Sequence, residues 1–332
     1  MSTRQRFILR WLSSTLACLG LLNLVLADPP ASQDAAAEVY RRHGLDPKIP
    51  LESRVARTRA SVLSQLREAD QPAPQEHVLI AAQRLQLNAA IQSLPPLHRR
   101  ILGERLRVLS FLDGMPNTAL TSTVNPKESF RLFDITVNAR ILHENVSEWL
   151  TKKEQTCFEA KGSPLRIYVD AGTKVDALVY VLLHEATHIV DSCERITPPL
   201  AGGGKAPRTA SRPATPFTEG IWNDVTLPVA LYRDPLRERV LFYVDCPPMP
   251  IDRAPDLYEY LRRTPFASLY GGRNWLDDLA EYVSVYHLTE VLKQPYRIVV
   301  RRGDAEIFAY EPMKSQLVRR RIGQMKRYYA GG

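Results

Sequence analysis

Cysteine is scarce in this chain, with four residues in 332 and no two of them in CxxC spacing. That pattern argues against a zinc site built from thiolates. Three cysteines, Cys157, Cys193 and Cys246, lie beyond the N-terminal segment, so in an oxidising compartment two can pair and one is left over. Long apolar runs are also few. The stretch from Trp11 to Leu26 is about 16 residues, short for a membrane-spanning helix. Arg4, Arg6 and Arg10 precede it and Val25-Leu26-Ala27 ends it on a small residue, the arrangement of a signal peptide cleaved after Ala27. An exported protein is expected, in a bacterial periplasm or outside the cell, with no stable membrane span after cleavage. Charge of one sign is not in large excess either. Cleavage takes three arginines and no acid, so +8 becomes +5, which requires no nucleic-acid partner. Arg319, Arg320, Arg321, Lys326 and Arg327 gather near the C-terminus and read as a solvated helix face.

With 45% hydrophobic and 24% charged residues, the chain is an ordinary globular protein of one or two domains. Residues 28–125 read as an N-terminal helical region, with apolar periodicity over Glu52–Leu66, Glu76–Leu94 and Leu97–Leu112 broken by Pro72, Pro74, Pro95 and Pro96. It is expected to pack on the remainder or to contact partners. His43, His77 and His98 are scattered there and read as surface residues. Leu165–Asp170 alternates like a strand. Ala171-Gly172 turns the chain, and Thr173 with Asp176 resembles a capping box opening a helix from Val175 to about Cys193. Thr197–Pro216 is dense in proline and glycine and reads as a surface insertion. Helices are expected over Asp256–Arg263, Trp275–Leu292 and Met313–Tyr329. There is no internal repeat.

Into the apolar helix falls His184-Glu185-Ala186-Thr187-His188. Four residues advance a helix by about 400°, which stacks the two imidazoles roughly 6 Å apart on one face. That spacing suits one Zn²⁺ held by both histidines, with Glu185 placed to reach a water on the metal. Chance alone gives HExxH in roughly one chain of this length in a hundred. Support must therefore come from elsewhere in the sequence. A catalytic zinc needs a third protein ligand and an open position. Asp277 and Glu281 are four apart on the Trp275–Leu292 helix and share a face, so one can ligate while the other accepts a hydrogen bond from a ligating histidine. Asp278 points elsewhere and reads as solvated or as a helix cap. Asp191 either orients His188 or caps its helix, and His287 reads as a rim or structural residue. Nothing in the sequence places Lys174, Trp222 or Arg273 in a cleft.

HExxH followed by Ser268-x-Tyr270 and then Asn274-x-x-Asp277-Asp278-x-Ala280-Glu281 resembles the gluzincin branch of zinc metallopeptidases, nearest in style to its anthrax-lethal-factor-like and MtfA-like bacterial groups. The likeness covers Leu165–Cys193 and Phe266–His287. It implies an α+β, mostly helical fold whose zincin-like domain occupies 126–332: a small sheet, an active-site helix and a second helix bearing a ligand, with an insertion at 197–216. It also implies Asp277 as the third ligand, Glu281 orienting His184, and Tyr270 steadying the oxyanion. Glu normally stands where this chain has Asp277, so Glu281 as the ligand is the alternative. The expected activity is hydrolysis of peptide or protein substrates by a zinc-activated water, Glu185 acting as general base. Leu165–Asp170 is expected to bind an extended peptide along its edge. Two other functions fit the same residues: a non-catalytic zinc-binding or scaffold protein with a relict site, and a metallohydrolase of non-peptide amides. An intact Glu185 disfavours the relict.

Overall fold

A computed structural model describes residues 33–67, 72–200, 213–240, 242 and 248–330. The expected signal peptide and most of the 197–216 insertion lie outside these residues. The fold is α+β, with eleven α-helices and small sheets among the described residues. No helix there is long and apolar enough to cross a membrane.

The eight longer helices are α1 (Gln33–His43), α2 (Ala60–Leu66), α3 (Ala81–Ser93), α4 (Pro96–Arg105), α5 (Val146–Gln155), α6 (Ala177–Glu194), α7 (Ala254–Arg262) and α8 (Trp275–Tyr286). The first sheet comprises β1 (Gln75–Glu76), β2 (Leu106–Asp113), β3 (Ala119–Thr123) and β4 (Phe133–Asn138), in the order β1-β2-β4-β3. In it β2 and β4 run parallel, while the β1–β2 and β3–β4 pairs are antiparallel. The second sheet is an antiparallel set of β5 (Leu165–Asp170), β6 (Arg297–Arg302) and β7 (Ala305–Tyr310), with β6 central.

Helix α6 is the axis of the core. Thirteen of its eighteen residues are buried. It packs against α3, α4, α5, α8 and β3. Sealed on nearly every side, it must be apolar almost all round, which explains why Ala177–Leu183 lacks a polar stripe. Its N-cap is Asp176, without a side-chain cap bond, so Thr173 does not open it as expected. Helix α5 begins with a true capping box, Asn145 and Glu148 each accepting the other's backbone N–H. The expected strand over Leu165–Asp170 and the helix over Asp256–Arg263 match β5 and α7 closely. The helix predicted over Trp275–Leu292 is α8 continued by a π-helical turn, His287–Val291.

The expected Glu52–Leu66 helix is α-helical only over Ala60–Leu66, with Val55 bridging Leu109, and two further segments depart from expectation. The Leu97–Leu112 periodicity predicts one helix, but α4 ends at Arg105 and the chain continues as β2. Leu109, Ser110, Phe111 and Leu112 are all buried, so this strand is covered on both faces and lacks the alternation that would have distinguished it from a helix. The region 28–125 therefore contributes β2 and β3 to the sheet shared with β4. The other departure is Met313–Tyr329, which is not one helix but a series of single turns. Arg321 there is buried against Asp278 rather than solvated. Its guanidinium spans both carboxylate oxygens at 2.7 and 3.1 Å and also donates to the Pro265 carbonyl, while Trp222 Nε1 donates to Asp278 Oδ2 at 2.9 Å. Asp278 is thus neither solvated nor a cap.

Candidate metal centre

Helices α6 and α8 lie side by side, and their facing residues meet at His184, His188 and Asp277. One donor atom from each lies within 4.8 Å of the other two. Asp277 Oδ1 stands 3.6 Å from His184 Nε2 and 3.7 Å from His188 Nε2. These separations are long for hydrogen bonds. They are close to the spacing of about 3.4 Å between ligand atoms that share a tetrahedral ion at about 2.1 Å. Three donors leave a fourth position for water or substrate.

Asn274 fixes the carboxylate. Its Oδ1 caps α8, accepting from the N–H groups of Leu276 and Asp277, and its Nδ2 donates to Asp277 Oδ2 at 2.7 Å. Asp277 is therefore held by one oxygen while the other faces the imidazoles. A side chain as short as aspartate suits a ligand in the first turn, gripped by its own helix cap.

Glu281 lies on the other side of His184. Its Oε1 accepts from His184 Nδ1 at 3.1 Å and from Lys153 Nζ at 2.8 Å. Its Oε2 accepts from Ser268 Oγ at 2.6 Å and Tyr180 Oη at 3.2 Å. The helix spacing of four thus places one carboxylate among the Nε2 atoms and the other behind an Nδ1, which fixes the tautomer of that histidine.

The charges are strongly coupled. Burial alone would push His184 down, but the neighbouring Asp277 and Glu281 carboxylates outweigh it and lift the imidazole to about 9. His188 is lowered by burial and by the neighbouring His184 charge. Burial opposes ionisation of Asp277, yet the nearby His184 and His188 imidazoles hold it below the usual carboxylate range. Glu281 is likewise held down against burial, first by the Lys153 ammonium and then by His184. Two carboxylates converging on His184 form a place where positive charge is favoured.

Glu185 lies beside His184, and Thr121 Oγ1 stands 2.7 Å from its Oε2 and 3.1 Å from its carbonyl oxygen. Thr121 belongs to β3, an edge strand. Bonds from Asn138 N to Thr118 O and from Val124 N to Leu132 O fix the register, so that Ala119 and Thr121 turn their backbone N–H and C=O away from β4. The Tyr270 ring is 5.9 Å from the His184 ring, with Phe242 edge-on to it at 5.1 Å.

Other expected roles change. The outer edge of β5 is occupied by α5, with Thr151 Oγ1 accepting from Val169 N and Gln155 Nε2 donating to Ile167 O, so β5 offers no edge to a peptide. Asp191 accepts two bonds from Thr197 and orients the loop after α6, not His188. His98 is fully buried, not a surface residue. Its Nε2 lies 3.0 Å from Thr187 Oγ1 inside the motif, and Tyr328 stacks on its ring. His287 is also buried and bonds Tyr329 Oη through Nδ1.

Sequence reasoning missed Lys153, Tyr180, Thr121 and the grip of Asn274 on Asp277. Lys153 did leave a signal, since Val146, Trp149, Leu150 and Lys153 follow the buried face of a 3.6-residue period. Comparisons of the chain with protein-family models, with curated proteins and with solved structures find no match in any of the three.

Proposed function

We propose that this chain is an exported zinc-dependent peptidase of gluzincin type with a zincin-like catalytic region, acting on peptide or protein substrates. The observation that carries the proposal is the meeting of three donors in one site. His184 and His188 present Nε2 to the free oxygen of Asp277, and Glu185 follows directly on the same helix. In this reading His184, His188 and Asp277 hold the ion and Glu281 orients His184.

Zinc bound there supplies Lewis acidity, polarising a scissile carbonyl and acidifying a water. The protein's own groups do the rest. Thr121 steadies one oxygen of Glu185, leaving the other to take the proton of the attacking water and return it to the departing amine. Tyr270 donates to the oxygen on which charge develops. The outward backbone groups of Ala119 and Thr121 pair with an extended substrate beside Glu185, which favours a peptide over a small amide.

Metal analysis and hydrolysis of a peptide library by the purified chain test the reading. Wild type should carry near-stoichiometric zinc. Asp277→Ala should lose it, whereas Glu185→Gln should keep it and lose at least about 100-fold in kcat. A wild type without zinc, or a Glu185→Gln variant as active as wild type, overturns the proposal.

A further inference from the structure

Lys153 takes no part in the chemistry above, yet it lies beneath it. The side chain is 4% exposed and reaches in from α5. An ammonium in that position is costly to bury, and apolar side chains of similar volume commonly replace buried ion pairs without loss of stability. Its contacts account for its presence better than stability does. Nζ is 2.8 Å from Glu281 Oε1, the same oxygen that receives His184 Nδ1–H. It also stands 4.1 Å from the centre of the Tyr270 ring and 5.1 Å from that of Trp149. At these distances one compact ammonium faces a carboxylate and an aromatic ring at once. Ser268 and Tyr180 hold the other oxygen of Glu281, so Lys153 completes the set of donors around that carboxylate.

We infer that Lys153 is a positioning residue that serves both halves of the site: it holds the Glu281 oxygen that aims His184, and it holds the face of Tyr270. The inference rests on the peptidase reading and assigns one cation to join ligand geometry with the oxyanion donor. Lys153→Met keeps the length of the stem and removes the charge.

The test uses the purified full chain, with folding checked by near-ultraviolet circular dichroism. Zinc affinity is read by chelator competition, and the effect of Tyr270→Phe on kcat is measured with and without Lys153. Lys153→Met should weaken zinc binding 10- to 100-fold, as loss of support for a ligand does. The factor lost through Tyr270→Phe should shrink to below about threefold in that background, because residues held together are not additive. Should Lys153→Met alone not fold, the neutral pair Lys153→Met with Glu281→Gln carries the Tyr270 measurement, since it buries no uncompensated charge. Zinc affinity within about threefold of wild type together with an undiminished Tyr270→Phe factor overturns the inference. In the neutral pair an undiminished factor suffices to overturn it. A wild type that binds no zinc overturns the peptidase reading and this inference with it; a zinc-loaded, active wild type with those results overturns the inference alone.

Discussion

Replacing Arg321 with methionine should leave Asp278 buried with most of its partners gone. The carboxylate is 0% exposed and the guanidinium 4%, so neither is relieved by solvent. The two bonds at 2.7 and 3.1 Å vanish and only the Trp222 indole still donates. Burial already pushes Asp278 upward and the Arg321 charge is the main opposing influence. Loss of one partner from a buried pair costs about 3–5 kcal/mol. At about 2–4 °C per kcal/mol, the melting midpoint should fall by roughly 6–20 °C. Methionine keeps apolar contact with Phe217 and Tyr282, over which the guanidinium lies at 4.3 and 4.6 Å, so the loss is electrostatic more than steric. Adding Asp278→Asn should restore most of the stability, to within about 1.5 kcal/mol of wild type, because no uncompensated charge is then buried. Urea and thermal unfolding followed by circular dichroism measure both variants. A cost below about 1 kcal/mol for Arg321→Met, or a double variant no more stable than the single, would refute the reasoning.

Two further outcomes are expected. Burial lifts the Asp191 carboxyl to about 6 against its bonds from Thr197, so the folded state binds its proton more tightly than the unfolded chain does. Its contribution to stability is greatest below about pH 4 and is lost as pH rises to about 6, on the order of 3 kcal/mol in all. Asp191→Asn should flatten that part of the stability profile, and equal slopes for variant and wild type over pH 4–6 would exclude the effect. Thr121→Val should lower kcat by about tenfold with little change in KM, since it releases Glu185 without touching a metal donor; an unchanged kcat would remove Thr121 from the proposed chemistry.

What was legible in the sequence was local. The motif helix, strand β5 and the four-residue spacing of Asp277 and Glu281 follow from periodicity within one segment, and the structure brings those side chains together. Less legible were contacts that close only in three dimensions. Lys153 meets a carboxylate 128 positions away, and Arg321 meets one 43 positions away. A charged residue reads as solvated until its partner is known, which is why Asp278 reads as solvated or a helix cap and Arg321 as part of a solvated face. Strand β2 failed for another reason: a leucine-rich run buried on both sides shows neither period.

The bond from His98 to Thr187, with Tyr328 stacked on His98, has a consequence for synthesis. The motif is complete in the chain at residue 188 and His98 precedes it, but Tyr328, which backs His98, arrives about 140 residues later. Arg321 arrives almost as late to fasten the first turn of α8. A nascent chain thus carries the letters of the site long before it carries the site, and a copy ending before Arg321 would lack both fastenings.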